Sequence, residues 1–152
     1  SRSNLTIIIS FLLFTNLISL GRYWTDPTLH RENWRQAVQI IEQHYSPTNS
    51  IVVFGFDAPF APWVWYQTQD TPTRSTGFKP IISQSDAQQR LDGISKYENV
   101  ILFDYLLDLS DPQKQISQVI KSKGYDESEV LDFAQLGFIR VFRQQKLYAQ
   151  QD

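Results

Sequence analysis

The sequence predicts an α/β protein: an N-terminal membrane helix, then a small Rossmann-like three-layer domain with a mainly parallel sheet and a C-terminal β-hairpin. Residues 5–20 form an uncharged apolar run. Helix and strand patterns alternate through the middle of the chain, which is typical of parallel sheets covered by helices. Two short strand patterns then meet at a tight turn. The predicted segments are 1–24 (membrane helix and aromatic junction), 25–146 (soluble domain) and 147–152 (polar tail).

The apolar run Leu5–Leu20 carries no charge and lies between Arg2 and Arg22. As a helix it would span roughly 24 Å, a little less than the hydrocarbon core of a bilayer. Tyr23 and Trp24 follow it, and aromatic residues favour the membrane surface. A membrane helix is therefore the first interpretation. A cleaved signal peptide and a buried core helix stay open as alternatives.

Helical periodicity begins after the aromatic junction and is followed by a strand. Trp34, Val38, Ile41 and Tyr45 share one apolar face at helical spacing. Ile51–Phe54 is a continuous apolar run, as expected for a buried parallel strand.

The next elements are predicted from turn residues and short apolar runs. A helix contains Trp63–Tyr66, with Pro62 in its first turn. Residues 70–77 form a polar loop. A second strand is predicted at Phe78–Ile82, with Pro80 indicating an edge strand or an irregular start.

The alternation then repeats towards the C-terminus. Ser85 or Asp86 can cap a helix, and Asn99–Leu106 reads as a third strand. Asp111 and Pro112 open a further helix whose end is marked by a glycine. The hairpin strands are predicted at Glu129–Ala134 and Gly137–Gln144.

The composition argues against several function classes. With 14 basic and 16 acidic residues and no basic tract, the chain lacks the charge pattern of nucleic-acid binding. Cysteine is absent, and His30 and His44 are too few and too badly spaced for a metal site. No glycine-rich phosphate motif occurs, so no cofactor is expected in this segment. Because methionine is also absent, we expect the sequence to begin inside a longer reading frame.

Two aspartates stand where α/β proteins usually bind ligands, beyond the carboxyl ends of strands. Asp57 follows the first predicted strand, and Asp104 lies at the end of the third. They can act as paired acids in one crevice, or they can simply cap turns and helix starts. The sequence contains no recognisable catalytic set.

The densest aromatic cluster lies in the second predicted helix of the domain. Trp63, Trp65 and Tyr66 can stack on sugar rings. Alternatively, Trp63 and Tyr66, three residues apart, pack on the sheet, which leaves Trp65 exposed. Trp65 and Tyr66 therefore join Asp57 and Asp104 as candidate contacts for a ligand or acceptor.

The order of an apolar helix, an aromatic junction, the segment Glu32-Asn33-Trp34-Arg35-Gln36-Ala37 and an apolar strand resembles the C-terminal region of C-type glycosyltransferases. These are the protein-mannosyltransferase and aminoarabinose-transferase type. The motif residues are Trp34, Arg35 and Ala37; Asn33 replaces the acid of the family pattern. Ile40 or Ile41 stands where a tyrosine-isoleucine pair is usual, and Tyr66 matches a tyrosine that ends the next helix. The resemblance covers residues 5–105.

This resemblance implies an accessory extracytoplasmic domain of a membrane enzyme. The whole protein would transfer a sugar from a polyprenyl-phosphate donor to a lipid or protein acceptor, with its catalytic residues upstream of this segment. The expected partners are the membrane, the upstream transmembrane core and a sugar-lipid donor or acceptor. Two alternatives remain: a membrane-anchored, non-enzymatic ligand-binding or sensing domain, and a secreted hydrolase-like domain with a cleaved signal.

Overall fold

The structure is a computed structural model, and it describes residues 2–26, 32–57, 60–77, 80–81 and 83–145. The chain divides into two compact units, Ser1–Glu32 and Asn33–Asp152. The first contains one long apolar helix and the second contains the sheet, so the protein is mixed α/β. The predicted polar tail, 147–152, lies outside the described residues.

The N-terminal helix, α1, runs over Arg2–Thr25. Within it, Asn4–Thr25 is long and apolar enough to cross a membrane, and none of its most apolar stretch is buried inside the structure. Apolar side chains are exposed on all its faces, which does not fit a core helix. By length and composition, a signal sequence near an N-terminus passes the same test.

The second unit begins with α2, Trp34–His44, whose apolar face is buried as the spacing predicts. The described elements then follow in chain order, alternating between strand and helix until the final pair of strands. They are β1 (Ser50–Phe54), α3 (Phe60–Tyr66), β2 (Thr73–Ser75), α4 (Gln84–Arg90), a short 3-10 helix (Ile94–Lys96), β3 (Asn99–Phe103), α5 (Leu107–Ser110), α6 (Gln115–Ser122), β4 (Tyr125–Phe133) and β5 (Gly137–Gln144).

The described strands form one mixed sheet in the order β2-β1-β3-β5-β4. β1 pairs in parallel with β2 and with β3. β5 is antiparallel to β3 and to β4, which completes the predicted hairpin. Since Phe54 pairs with Phe103, β1 and β3 end at the same edge of the sheet, which we call the carboxyl edge.

Alternate residues of the strands belong to two separate apolar clusters. Val52 and Phe54 of β1 pack with side chains of α2 and α3. Ile51 and Val53 of the same strand pack with side chains of α4 and α6. Because successive strand residues point to opposite faces, the two clusters cover opposite faces of the sheet.

The second parallel strand was predicted in the wrong place. It is β2, Thr73–Ser75, inside the segment predicted as a polar loop. Pro80 and Ile81 are not in a strand, and the rest of the predicted range, 78–79 and 82, lies outside the described residues. β2 has little apolar character of its own; it exists because its backbone pairs with Val52–Phe54, which local propensity does not reveal.

Several boundaries also differ from the predictions. α4 is capped by Ser83, whose side chain accepts a hydrogen bond from the Asp86 amide, rather than by Ser85 or Asp86. β3 ends at Phe103, since the chain turns there into α5, a helix that was not predicted. α6 begins at Gln115, and β4 begins at Tyr125, earlier than predicted.

Candidate functional site

The candidate site lies at the carboxyl edge, where the chain leaves β3 and enters α5. A cavity of about 290 Å³ opens there, between the end of β3, the start of α6 and the start of β5. We call it the Asp104 cavity. Its lining combines two acids, two cations, a hydroxyl, a glycine and two apolar side chains: Asp104, Asp108, Lys114, Arg140, Ser117, Gly137, Leu107 and Phe138.

An ion pair between Asp104 and Arg140 organises this cavity. The Nε of Arg140 donates to Oδ2 of Asp104 over 2.7 Å. The Asp104 amide donates to the carbonyl of Phe138 over 2.8 Å, which ties the end of β3 to β5. The two side chains are 18% and 26% exposed, so the pair is largely removed from water. The other carboxylate oxygen, Oδ1, is buried and has no hydrogen-bond partner.

Arg140 also connects the cavity to an exposed row of charges. Its Nη1 donates to Glu127 on β4 over 3.0 Å, and Lys121 lies 3.5 Å from the same carboxylate. The guanidinium carbon lies 5.8 Å from the centre of the Phe138 ring. These contacts hold Arg140 in one orientation beside Asp104.

Burial raises the pKa of the Asp104 carboxyl above its ordinary value, because removal from water disfavours the charged form. The hydrogen bond and the charge of Arg140, and the charge of Lys114, oppose this shift without cancelling it. Burial lowers the pKa of Arg140, but Asp104 and Glu127 more than compensate, so it is raised overall. Because Oδ1 of Asp104 is closed to solvent and Oδ2 is held by Arg140, the polar groups of the cavity that can meet a ligand are the cations beside Asp104.

The backbone around the cavity is unusual. Leu106, just before α5, and Lys114, just before α6, both have a positive φ, 53° and 57°. This left-handed conformation is costly for residues with a side chain and is often found near functional sites. It positions Lys114 at the cavity and turns the side chain of Leu106 out towards solvent.

Asp57, the other predicted acid, has a separate partner. Its carboxylate accepts a hydrogen bond from Ser75, the last residue of β2, and it does not line the Asp104 cavity. Asp57 is hydrogen-bonded to a residue of β2, and Asp104 to a residue of β5. In the sheet, β2 and β5 lie on opposite sides of the β1–β3 pair. Their ligand-binding roles stay predictions.

The aromatic cluster divides as its spacing predicts. Trp63 is fully buried against Phe54 and Phe103, with ring centres 6.2 Å and 5.7 Å away. Tyr66 packs partly against the same cluster, and Arg35 lies 5.6 Å from its ring centre. Trp65 is 82% exposed. Among these side chains, Trp65 offers a ring face to an outside partner.

The family-like motif is mainly a packing motif in this structure. Trp34 stacks on Phe103, with ring centres 5.5 Å apart and planes 7° from parallel. Ala37 is fully buried on the same face of α2, whereas Arg35 is exposed. Tryptophan and alanine therefore fix how α2 lies on the sheet.

A second cavity, of about 410 Å³, opens at the opposite edge of the sheet and was not predicted. Tyr45 in its wall donates to Glu129 over 2.6 Å, and burial together with that carboxylate raises the pKa of Tyr45 to about 12. Asn49 donates to Glu98 over 3.1 Å. Its lining is polar and mostly hydrogen-bonded: His44, Tyr45, Ser46, Asn49, Glu98, Asn99, Arg143, Gln144 and Gln145.

Sequence reasoning missed the other polar residues of the cavity, Asp108, Lys114, Ser117 and Arg140. Arg140 is the one that pairs with Asp104. It is 36 positions from Asp104, and no motif connects the two. A strand was predicted at Gly137–Gln144, but only the antiparallel register of β3 and β5 brings an arginine beside the end of β3.

In the part of the chain that the structure describes, no group of three or more histidine, aspartate or glutamate residues is arranged to hold a metal ion. Comparison with known protein families, with curated proteins and with solved structures finds no match to this chain. The described part of the chain is therefore an apolar helix followed by a mixed α/β domain, with a polar cavity at the carboxyl edge of the sheet.

Proposed function

We propose that the chain is the C-terminal, extracytoplasmic domain of an integral-membrane glycosyltransferase that uses a polyprenyl-phosphate sugar, and that its role is accessory rather than catalytic. The observation that carries this proposal is the order of elements. A 24-residue apolar helix precedes an α/β domain whose first helix begins with Trp34, Arg35 and Ala37. That order, with this motif, is typical of the family that the sequence resembles.

The fold of the second unit supports the same proposal. Apolar clusters on opposite faces of the sheet, with α2 and α3 on one side and α4 and α6 on the other, fit a Rossmann-like three-layer arrangement. Such folds bind ligands beyond the carboxyl ends of their strands, where the Asp104 cavity lies.

The chemistry of the cavity suits part of a sugar. Lys114 and Arg140, which line the cavity, can donate to hydroxyl or phosphate oxygens. The half-exposed ring of Phe138 can pack on a sugar face. The domain would thus help to hold the donor or acceptor while other parts of the protein perform the transfer.

Kinetics of the complete membrane protein test this role. We expect Arg140→Ala to raise the KM for the polyprenyl-phosphate sugar or for the acceptor about tenfold, since a charge-assisted contact is lost. The kcat should change by less than about twofold, because an accessory contact holds the ground state and the transition state equally.

Arg143→Ala is the matched control, since Arg143 lies on the same strand but is exposed and outside the Asp104 cavity. Equal effects of the two substitutions would remove the cavity from the proposal. A fall in kcat alone for Arg140→Ala would contradict an accessory role.

A second candidate is a membrane-anchored, non-enzymatic ligand-binding domain. It is favoured by a preformed cavity whose lining carries Asp104, Lys114 and Arg140. The coding sequence upstream of Ser1 discriminates the two candidates. Several further apolar spans with an acidic loop after the first would select the glycosyltransferase, whereas a lone span would leave the binding domain.

A further inference from the structure

β2 is an edge strand of the sheet. Within the described residues, it pairs with β1 on one side and with no strand on the other. Val52 of β1 is opposite Thr73, and its amide donates to the carbonyl of Pro72, just before β2. In a parallel pair, backbone groups of alternate residues point to alternate sides of the strand. The N–H and C=O groups of Thr73 and Ser75 therefore point away from β1.

A cavity of about 460 Å³ lies beside β2. All three residues of the strand line it, together with Lys96 and Tyr97 from the segment just before β3. Its charged lining residues are Arg74 and Lys96, and no acid lines it. The cavity is therefore a positively charged groove next to backbone groups that a further strand could use.

Both cations are held in place but keep their charge available. Nη2 of Arg74 donates to the carbonyl of Asp92 over 2.6 Å. Nζ of Lys96 lies 5.0 Å from the ring centre of Tyr97. Both side chains are exposed, and neither forms an ion pair with a described residue. The carboxylate of Asp92 accepts from the amide of Gly93 instead.

The two cations lie on the same face of the sheet. Arg74 is opposite Val53 in the ladder, and Val53 belongs to the apolar cluster of α4 and α6. Tyr97, next to Lys96, packs against the same cluster. Because side chains alternate between the faces of a sheet, a strand added beside β2 would turn every second side chain towards these cations.

The backbone of β2 favours a peptide over a small anion. Thr73 and Ser75 present outward carbonyls as well as outward amides, and a carbonyl oxygen repels a phosphate or a sulfate. An extended peptide offers both donors and acceptors at strand spacing, as in other cases of strand addition.

We propose that β2 binds an extended acidic segment of a partner protein, which adds to the sheet beside β2 and carries a carboxylate at every second residue. Arg74 and Lys96 pair with these carboxylates across the new strand pair. This site shares no lining residue with the Asp104 cavity, so it stands independently of the function proposed for that cavity.

The binding of a fluorescent peptide, Thr-Glu-Thr-Glu-Thr-Glu-Thr, tests this strand addition. Its anisotropy is measured with the full chain in uncharged detergent micelles, and empty micelles supply the background. We expect saturable binding of this peptide and no binding of a peptide with lysine in place of glutamate. A third peptide, with methyl groups on its backbone nitrogens, keeps the charge but loses the strand hydrogen bonds. It should bind at least about tenfold more weakly.

Variants of the cavity give a second test. Lys96→Glu should weaken binding at least about tenfold, because repulsion replaces attraction. The Arg74→Glu/Lys96→Glu variant should bind the lysine peptide instead. Thr73→Pro removes an outward amide without removing a bond to β1, and should weaken binding about fivefold. Arg143→Glu, which changes an exposed cation of β5 outside this cavity, is the control and should bind like the wild type.

Equal binding of the methylated peptide would show attraction between charges alone and would overturn strand addition. No binding by the folded wild type, or equal losses in Lys96→Glu and Arg143→Glu, would also overturn it. Circular dichroism shows whether Thr73→Pro is folded; if it is not, Lys96→Glu still decides, because Lys96 is outside the sheet. Self-association of the full chain that Lys96→Glu abolishes would make a second copy the occupant and would overturn a separate partner.

Discussion

At the scale of single residues, Asp104 shows how a buried acid depends on its surroundings. Its pKa is raised by burial even though Arg140 donates to one of its oxygens. The folded protein therefore holds the Asp104 proton to a higher pH than the unfolded chain does. The contribution of this group to stability is complete below the ordinary aspartate pKa. It is lost as the pH rises through the raised, folded-state value.

Asp104→Asn should remove this pH dependence. The free energy of unfolding of the wild type, relative to the variant, should fall as the pH rises from about 4 towards neutrality. Asparagine has no proton to release in this range, which is the physical reason. The measurement is denaturant unfolding of the full chain in detergent micelles at several pH values, followed by tryptophan emission.

Asp70→Asn is the control for this comparison, because it removes the same charge from an exposed residue outside the Asp104 cavity. We expect its stability to follow that of the wild type across the pH range. Parallel pH curves for the wild type and Asp104→Asn would show that burial of Asp104 does not affect its titration.

At the scale of elements, the connection between α3 and β2 depends on one buried glutamate of α2. The carboxylate of Glu42 accepts from the amides of Thr68 and Gln69, each over 2.8 Å, and from the Thr68 hydroxyl over 2.6 Å. These bonds hold the chain after α3 where β2 can pair with β1. A weak three-residue strand is thus positioned by contacts outside the sheet.

Glu42→Ala should destabilise the domain by roughly 2–3 kcal/mol, since buried donors lose their acceptor. Glu42→Gln should cost about 1 kcal/mol, because its amide oxygen still accepts from the two backbone amides. Unfolding in denaturant measures both. Hydrogen exchange should also become faster at residues 67–75 in the alanine variant.

Gln43→Ala serves as the matched control, since Gln43 is the next residue of α2 and is exposed. A loss of stability in Gln43→Ala equal to that in Glu42→Ala would show that the effect does not come from the hydrogen bonds of Glu42.

At the scale of the whole molecule, α1 differs from the helices of the sheet domain in the exposure of its apolar side chains. Its apolar side chains are exposed along its whole length, whereas those of α2 are buried on one face. In water, such a helix would leave a large apolar surface hydrated. A lipid environment, or removal of the segment as a signal, relieves that cost.

Phe14→Arg places a charge near the middle of the span Asn4–Thr25 and should weaken membrane insertion by about 2.5–3.5 kcal/mol. The fraction of full chain that stays in the membrane after an alkaline carbonate wash measures this effect. Tyr23→Arg, at the end of the helix where a charge can reach the surface, should be retained like the wild type.

N-terminal sequencing of the retained protein completes this experiment. An intact α1 in the membrane fraction agrees with a spanning helix. Cleavage near residues 19–21 with release of the domain would show a signal sequence instead. In the carbonate wash, equal retention of Phe14→Arg and the wild type would show that α1 does not insert into the membrane.

Local patterns were sufficient to predict the apolar helix, the buried face of α2, strands β1 and β3, and the final hairpin. In each of these, the periodicity or apolar run of consecutive residues is itself what burial requires. Asp104 was also predictable as a strand-end acid, because its position follows from the strand before it. The exposure of Trp65 followed from its spacing to Trp63.

Only the tertiary structure decided the position of β2, the order of the strands and the partner of Asp104. β2 is a strand because β1 offers it backbone hydrogen bonds. Arg140 reaches Asp104 because β5 pairs with β3 in one register. Hydrogen-bonding partners and registers are set between segments far apart in the chain, so they leave no periodicity in either segment. The elements are therefore readable from neighbouring residues, while the site that they form depends on how the elements pack.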